Sequence, residues 1–294
     1  MPSLDDLRKR ISSVKSTQKI TKAMKMVAAA KLRKAQESAE RGRPYSEKMH
    51  NIILNLSNSI NDRQNAPALL VGTGNDKNYL CVVMTADRGL CGGFNSNICK
   101  LAKLSFKKIL QEGKNLKIIT VGSKGSDQLK REYGNYIVKE ISFKDRKKIS
   151  YKEAEEIGSI IIELFEKKEF DKCILFYNNF KNVITQIPQA NQIIPAEKKE
   201  NNKNNENVSN DSYEFEPEED EILRDLLPKN ITTQVFRAFL ENAASEQGSR
   251  MTAMDNATRN AGELVDKLTI TYNRSRQASI TKELIEIISG AESL

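Results

Sequence analysis

The stretch that decides the fold runs from Thr232 to Tyr272, TTQVFRAFLENAASEQGSRMTAMDNATRNAGELVDKLTITY. Its seam residues recur at alternating three- and four-residue spacing: Phe236, Leu240, Ala243, Gln247, Met251, Met254, Ala257, Ala261, Leu264, Leu268 and Tyr272. That spacing keeps side chains on one stripe of a helix. Gly248 and Gly262 are the weak points, and no proline follows Pro228. A helix from Thr232 to Glu286 would be about 80 Å long at about 1.5 Å per residue. No compact domain of a 294-residue chain is that wide, so the helix is expected to project with its seam covered.

The other end of the chain supplies a cover. Leu4, Leu7, Ile11, Val14, Gln18, Thr21, Met24, Ala28, Leu32, Ala35 and Ala39 follow the same alternation. Both seams are rich in Ala, Met, Thr and Gln, small or flexible residues that let two helices approach closely. An antiparallel coiled coil of the two termini is therefore expected. Two separate amphipathic helices on a globular core are the competing arrangement, which the length of the patterns disfavours.

No run approaches the 18 or so apolar residues of a membrane span. The start, MPSLDDLRKR, has neither an apolar core nor the acid-poor character of a targeting segment. Cys81, Cys91, Cys99 and Cys173 lack CxxC spacing and sit among apolar residues, as buried free thiols do. Charge is uneven. Residues 1–60 hold 13 Lys/Arg against 5 Asp/Glu, an excess equal to the +8 of the whole chain. The first helix thus carries positive potential toward an acidic partner or phosphate, or presents a solvated basic face.

The middle differs. Ten of the 14 glycines fall between Gly72 and Gly158. Strands are expected at Tyr79–Thr85, Leu116–Val121, Tyr136–Ile141, Lys172–Tyr177 and Val183–Ile194, the last with Pro188 at an edge or bulge. Helical patterns at Asn95–Leu110, Ser123–Tyr133 and Tyr151–Lys167 alternate with them. The order is that of an α/β layer with a mostly parallel five-stranded sheet. Glu197–Asn210, EKKENNKNNENVSN, lacks large apolar residues and reads as a disordered insertion. Pro228 is expected to end a short lead-in helix or to kink the long one, and Pro44 poses the same question for the first helix. The organisation is then a coiled-coil helix over 1–60, an α/β domain over 76–195, a linker over 196–213 and a second coiled-coil helix over 214–294.

Chemistry is sparse. Asp87–Phe94, DRGLCGGF, lies between a strand and a helix, where backbone N–H groups can hold an anion. Its spacing is G-x-x-G-G rather than G-x-G-x-x-G, and no acid ends the second strand. A tight turn fits better than a nucleotide site. His50, the one histidine, has no metal-ligand spacing around it, and G-x-S-x-G is absent. The residues point to no catalytic site, no metal and no cofactor.

Five segments together carry a resemblance: Ile20–Gln36 (ITKAMKMVAAAKLRKAQ), Arg43–Tyr45 (RPY), Asp87–Asn95 (DRGLCGGFN), Ala244–Met254 (ASEQGSRMTAM) and Arg276–Gly290 (RQASITKELIEIISG). In that order they resemble the gamma subunits of F-type ATP synthases. The resemblance implies an antiparallel coiled coil flanked by a Rossmann-like α/β domain. It implies a rotor shaft that couples proton flow to ATP synthesis, without catalytic residues of its own. The implied partners are an alpha3beta3 hexamer, an epsilon subunit and a c-ring, with one copy per complex and membrane contact only through the c-ring. The implied location is the cytoplasmic face of a bacterial inner membrane. By the same resemblance Arg276 and Gln277 match a polar catch on the beta subunits, and Met24 and Lys25 lie near an acidic beta loop. Glu246 and Arg250 match polar coiled-coil positions beside that region, and Ile280–Gly290 resembles the apolar end held in the ring's sleeve. A basic coiled-coil protein binding nucleic acid is the alternative, although no aromatic stacking residue precedes Tyr45. A dinucleotide enzyme with helical extensions is a weaker one.

Overall fold

Tyr79–Thr85 contains no charged residue, which suits a strand covered on both faces. The computed structural model bears this out. It describes residues 3–59, 67–146, 150–195 and 219–292, so the expected insertion and linker over 196–213 lie outside the described residues, as does the side chain of His50. The elements in chain order are α1 (Leu4–Ser59), α2 (Ala68–Val71), β1 (Asn78–Met84), α3 (Phe94–Gln111), β2 (Asn115–Val121), α4 (Ser123–Tyr133), β3 (Ile137–Ile141), α5 (Tyr151–Glu166), β4 (Lys172–Phe180), β5 (Gln186–Ile194) and α6 (Glu219–Glu292). The sheet order is β3-β2-β1-β4-β5. The first four strands run parallel, and β5 pairs antiparallel with β4. Pro188 therefore sits on an edge strand, where its missing N–H breaks no ladder on the outer side.

Packing divides the chain into two units, Met1–Ala30 with Arg250–Leu294, and Lys31–Ser249. In the second unit the strands alternate. Cys81 and Val83 face the side covered by Ile98, Phe106 and Leu129 of α3 and α4. Leu80, Val82 and Met84 face Ile157 and Ile161 of α5, and also Ile231, Val235 and Ala238 of α6. The early part of α6 thus serves as a covering helix of the sheet. All four cysteines are buried free thiols. Burial in apolar surroundings pushes the Cys99 thiol up to about 11.

Two glycines are dictated by close approach. At Gly158 a Cβ would stand 2.6 Å from Thr232 Oγ1, so the backbones of α5 and α6 meet there. Gly122 has φ +100°, and a Cβ would lie 2.3 Å from the carbonyl oxygen of Thr85.

α6 runs through Pro228, and α1 runs through Pro44. The short lead-in helix is therefore not a separate element. An interior proline costs about 3 kcal/mol. Leu223 and Leu227, packed with Met49, Ile53 and Leu70, hold the first turns of α6 in place despite it.

In the first unit α1 and α6 pair antiparallel. Lys25 Nζ meets Asp255 Oδ1 at 2.6 Å, the hydroxyls of Thr258 and Thr21 bond at 2.8 Å, and Arg8 Nη2 donates to Tyr272 OH at 3.2 Å. Contacts move down α1 as they move up α6. On α1 all the seam residues from Leu4 to Ala39 are buried or half-buried. The α6 seam needs one correction. Val265 takes the inward place assigned to Leu264, which is 46% exposed, while Ala257 is half-buried as expected beside Thr258. A 3.6-residue turn drifts against a 3.5-residue repeat, so a stripe begun at Met254 can step four, three, four as easily as three, four, three.

Candidate functional site

Two features of the fold bear on function. The first is the helix pair of Met1–Ala30 with Arg250–Leu294. Met24 and Lys25 are half-buried on α1, and Asp255 holds the Lys25 ammonium. That contact draws the Asp255 carboxyl below its ordinary range. Arg250, in the same unit, is half-buried on α6. Arg276 and Gln277 are exposed. With Arg8 opposite Tyr272, antiparallel pairing runs out near Arg276, because α1 begins at Leu4. Beyond that point α6 continues without a partner helix among the described residues. Ile280, Leu284, Ile285, Ile287 and Ile288 are all exposed, and Ile287 is 67% exposed. An apolar surface of that kind marks a binding surface on a folded chain. No helix among the described residues is long and apolar enough to cross a membrane.

The second feature lies inside Lys31–Ser249, the unit that also holds Glu246, half-buried on α6. Pairing of β1 with β4 ends at Val83 and Phe176, while β4 continues to Phe180. Beyond that point β4 still pairs with β5 on one side, while its backbone groups on the other side face the space past the end of β1. α6 supplies the partners. Asn178 N donates to Asn242 Oδ1 at 2.9 Å, and Asn178 O accepts from Ser245 Oγ at 3.2 Å. Phe180 N donates to Glu241 Oε2 at 3.0 Å, and Phe180 O accepts from Arg43 Nη2 at 3.2 Å. Asn242 Nδ2 also donates to Met84 O, the end of β1, at 2.9 Å. Arg43 grips Glu241 with a fork, Nε to Oε1 at 2.8 Å and Nη2 to Oε2 at 3.1 Å. The Glu241 side chain is 1% exposed. α6 side chains and one α1 guanidinium thus stand in for a missing strand.

This arrangement also fills the place where an open α/β sheet takes ligands. The strand order reverses between β1 and β4, and ligands of such sheets bind outside the strand ends at that switch point. Here Asn242 bridges those two strand ends. At the glycine-rich turn the residues at its two ends, Asp87 and Asn95, bond neighbouring segments. Asp87 accepts from Ser123 N and Ser142 Oγ, both at 2.8 Å, and from Phe143 N at 3.1 Å. It caps α4 and ties down the exit of β3. Asn95 Oδ1 accepts from Ala86 N at 2.9 Å and closes the turn.

Sequence reasoning singled out Arg43 and Ser245 only within motifs and missed Glu241, Asn242 and Asp255. The available signal was a polar group, Glu-Asn-x-x-Ser, on an α6 stretch otherwise patterned for burial.

A family model described as ATP synthase matches residues 3–294. The ATP synthase gamma chain of Pelagibacter ubique is 74% identical over 294 residues, and that of Rhizobium etli 56%; each alignment covers 100% of both chains. Among solved structures, a chain of the central stalk and c-ring of Tetrahymena thermophila mitochondrial ATP synthase is similar at 27% identity and TM-score 0.61. It covers 81% of this chain and 99% of that one. A chain of Euglena gracilis mitochondrial ATP synthase shares the fold at 21% identity and TM-score 0.66, over 99% of this chain and 94% of that one. A full-length family match and a relative 74% identical from end to end leave one assignment: the chain belongs to the gamma-chain family of ATP synthases.

Proposed function

We propose that this gamma chain is the central shaft of a proton-translocating F-type ATP synthase and turns proton flow into ATP synthesis by rotation. It is a non-catalytic subunit of that machine. The observation that carries the reading is the end of α6, which outruns its partner helix and presents apolar side chains while the family match extends through it. A surrounding ring of three alpha and three beta subunits would cover this end. Rotation would then bias successive beta subunits, because unequal faces of the shaft favour different conformations in turn.

Within this reading Arg276 and Gln277 hold the beta subunits at the place where α6 leaves its pair. Met24 and Lys25 face an acidic beta loop, with Glu246 and Arg250 nearby. The excess positive charge of residues 1–60 supports that side of the reading. The α/β unit would stand with an epsilon subunit on the c-ring, one copy of the chain per complex. The chain would then lie peripherally on the cytoplasmic face of a bacterial inner membrane and touch lipid only through that ring.

Native extraction followed by affinity capture of this chain tests the reading. Recovery of alpha, beta, epsilon and c subunits is the expected result. Capture of the intact chain with no alpha/beta hexamer would sink it. Replacing Arg276 by Ala is expected to weaken coupling in the assembled complex while the melting of the isolated chain stays unchanged.

A further inference from the structure

We infer that the polar network joining Arg43, Glu241, Asn242 and Ser245 to the end of β4 is a torsional key, the contact that stops the parts of α1 and α6 inside the Lys31–Ser249 unit turning against the α/β sheet of that unit. The inference rests on the shaft reading above and deepens it by naming the residues that pass rotation between the sheet and the helices. All of them lie in the Lys31–Ser249 unit.

The argument begins with what apolar packing cannot do. Ile231, Val235, Ala238 and Phe239 lay α6 on the sheet. Burial holds surfaces together, but it is non-directional and by itself favours contact without fixing one angle. A hydrogen bond weakens steeply once its angle falls toward 120° or its length passes about 3.2 Å. A twist about the α6 axis moves side chains tangentially, so directional bonds resist it where apolar contact yields. Glu241, Asn242 and Ser245 fall on one face of α6, at i, i+1 and i+4. All three bond the same short end of β4.

Arg43 makes the joint three-sided. Its planar fork sets the angle between α1 and α6 through Glu241, and its Nη2 reaches Phe180 O on the sheet. Neither helix can roll alone without breaking a bond to the strand or to the other helix. Thermodynamics also points away from a purely stabilising role. Glu241 is buried while Arg43 stays 36% exposed; an ion pair taken out of water is often no better than an apolar pair of similar volume, and one attested use is to specify geometry. A surrogate edge could be made with fewer charges; a fork that binds three elements at once suits a part under load.

The test uses the assembled complex with the ring fixed to a surface and a bead on the α/β domain, attached at the exposed site Ser96→Cys. The readout is the angular variance of the bead at a stationary dwell, together with the melting temperature of the variant chain. The double variant Arg43→Met with Glu241→Met replaces the pair by apolar groups. Its melting temperature is expected to fall, because Phe180 N and Phe180 O lose their partners along with the ion pair. Its angular variance is expected to rise about twofold or more, since the fork is gone. Unchanged variance in a complex that assembles and rotates would overturn the inference. If the double variant does not assemble, Glu241→Gln is measured the same way with the same expectation. Failure of both variants to enter the complex would also count against the key, placing the network in assembly rather than transmission. A parent complex that shows no rotation of this chain would instead refute the shaft reading itself, so the two failures are distinct.

Discussion

Replacing Asn242 by Ala should destabilise the chain by an amount that the surrounding bonds allow to be worked out. The side chain is buried and makes two bonds, one from Asn178 N to its Oδ1 and one from its Nδ2 to Met84 O, each at 2.9 Å. Alanine leaves a backbone donor and a backbone acceptor without partners at the ends of two neighbouring strands. Each orphaned group costs about 1–3 kcal/mol, so the loss is roughly 2–6 kcal/mol. At about 2–4 °C per kcal/mol for a unit of this size, a loss near 3 kcal/mol lowers the melting temperature by roughly 6–12 °C. Thermal melting of the full chain, followed by circular dichroism, measures it.

The variant Asn242→Asp sharpens the test. It changes one side-chain nitrogen to oxygen, so packing is kept while the donor to Met84 O is lost and a charge is buried. A carboxylate in that place has its pKa raised by desolvation. The protonated form can donate again. Asn242→Asp should therefore be less stable than the parent at neutral pH, and the gap should narrow as pH falls through the raised pKa. A melting temperature within about 2 °C of the parent for Asn242→Ala would refute the claim that α6 completes the sheet. So would an Asn242→Asp deficit that does not change with pH.

Other expectations are more local. Glu153 receives bonds from the Ser150 hydroxyl and backbone N–H, both at 2.6 Å, and from Arg146 at 2.8 Å, which draw its carboxyl down to about 2. Its contribution is present above the ordinary value of 4.5 and lost as pH falls toward 2. Acid titration of stability should be flatter for Glu153→Gln in that window, and the variant should lose about 1 kcal/mol at pH 7 with the capping box. Gly158→Ala gains up to about 1 kcal/mol of helix propensity but forces a Cβ against Thr232, which costs about 1–3 kcal/mol. Urea unfolding should show a net loss, and adding Thr232→Ala should recover part of it. Val265→Ala should cost about 2 kcal/mol and Leu264→Ala less than about 0.5 kcal/mol. Equal effects at these two sites would contradict the observed register of α6.

Much of the architecture was legible because it repeats. Short apolar runs alternating with helical patterns marked all five strands. The three-four alternation from Leu4 to Ala39 marked one seam of the pair without error, since small residues there have one place to go. Reading was poorer on α6 between Phe236 and Gln247. There the helix packs on two neighbours, so the buried arc widens to include Val235, Ala238 and Phe239 beside the expected half-buried stripe. Pro228 misled for a related reason. Its local effect is real, and tertiary packing of Leu223 and Leu227 overrides it.

By itself, then, the sequence determined that the two ends of the chain are long helices with complementary seams, that an α/β sheet lies between them, and that five motifs are those of gamma subunits. These follow from short-range periodicity and from residue identity, which a linear reading can see. What only the tertiary structure decided is how the sheet and the helices are joined. β4 outruns β1, and side chains up to 198 residues apart in sequence satisfy its free backbone groups. A buried donor or acceptor must find a partner, but nothing in a strand's own sequence says which distant Arg, Glu or Asn will supply it.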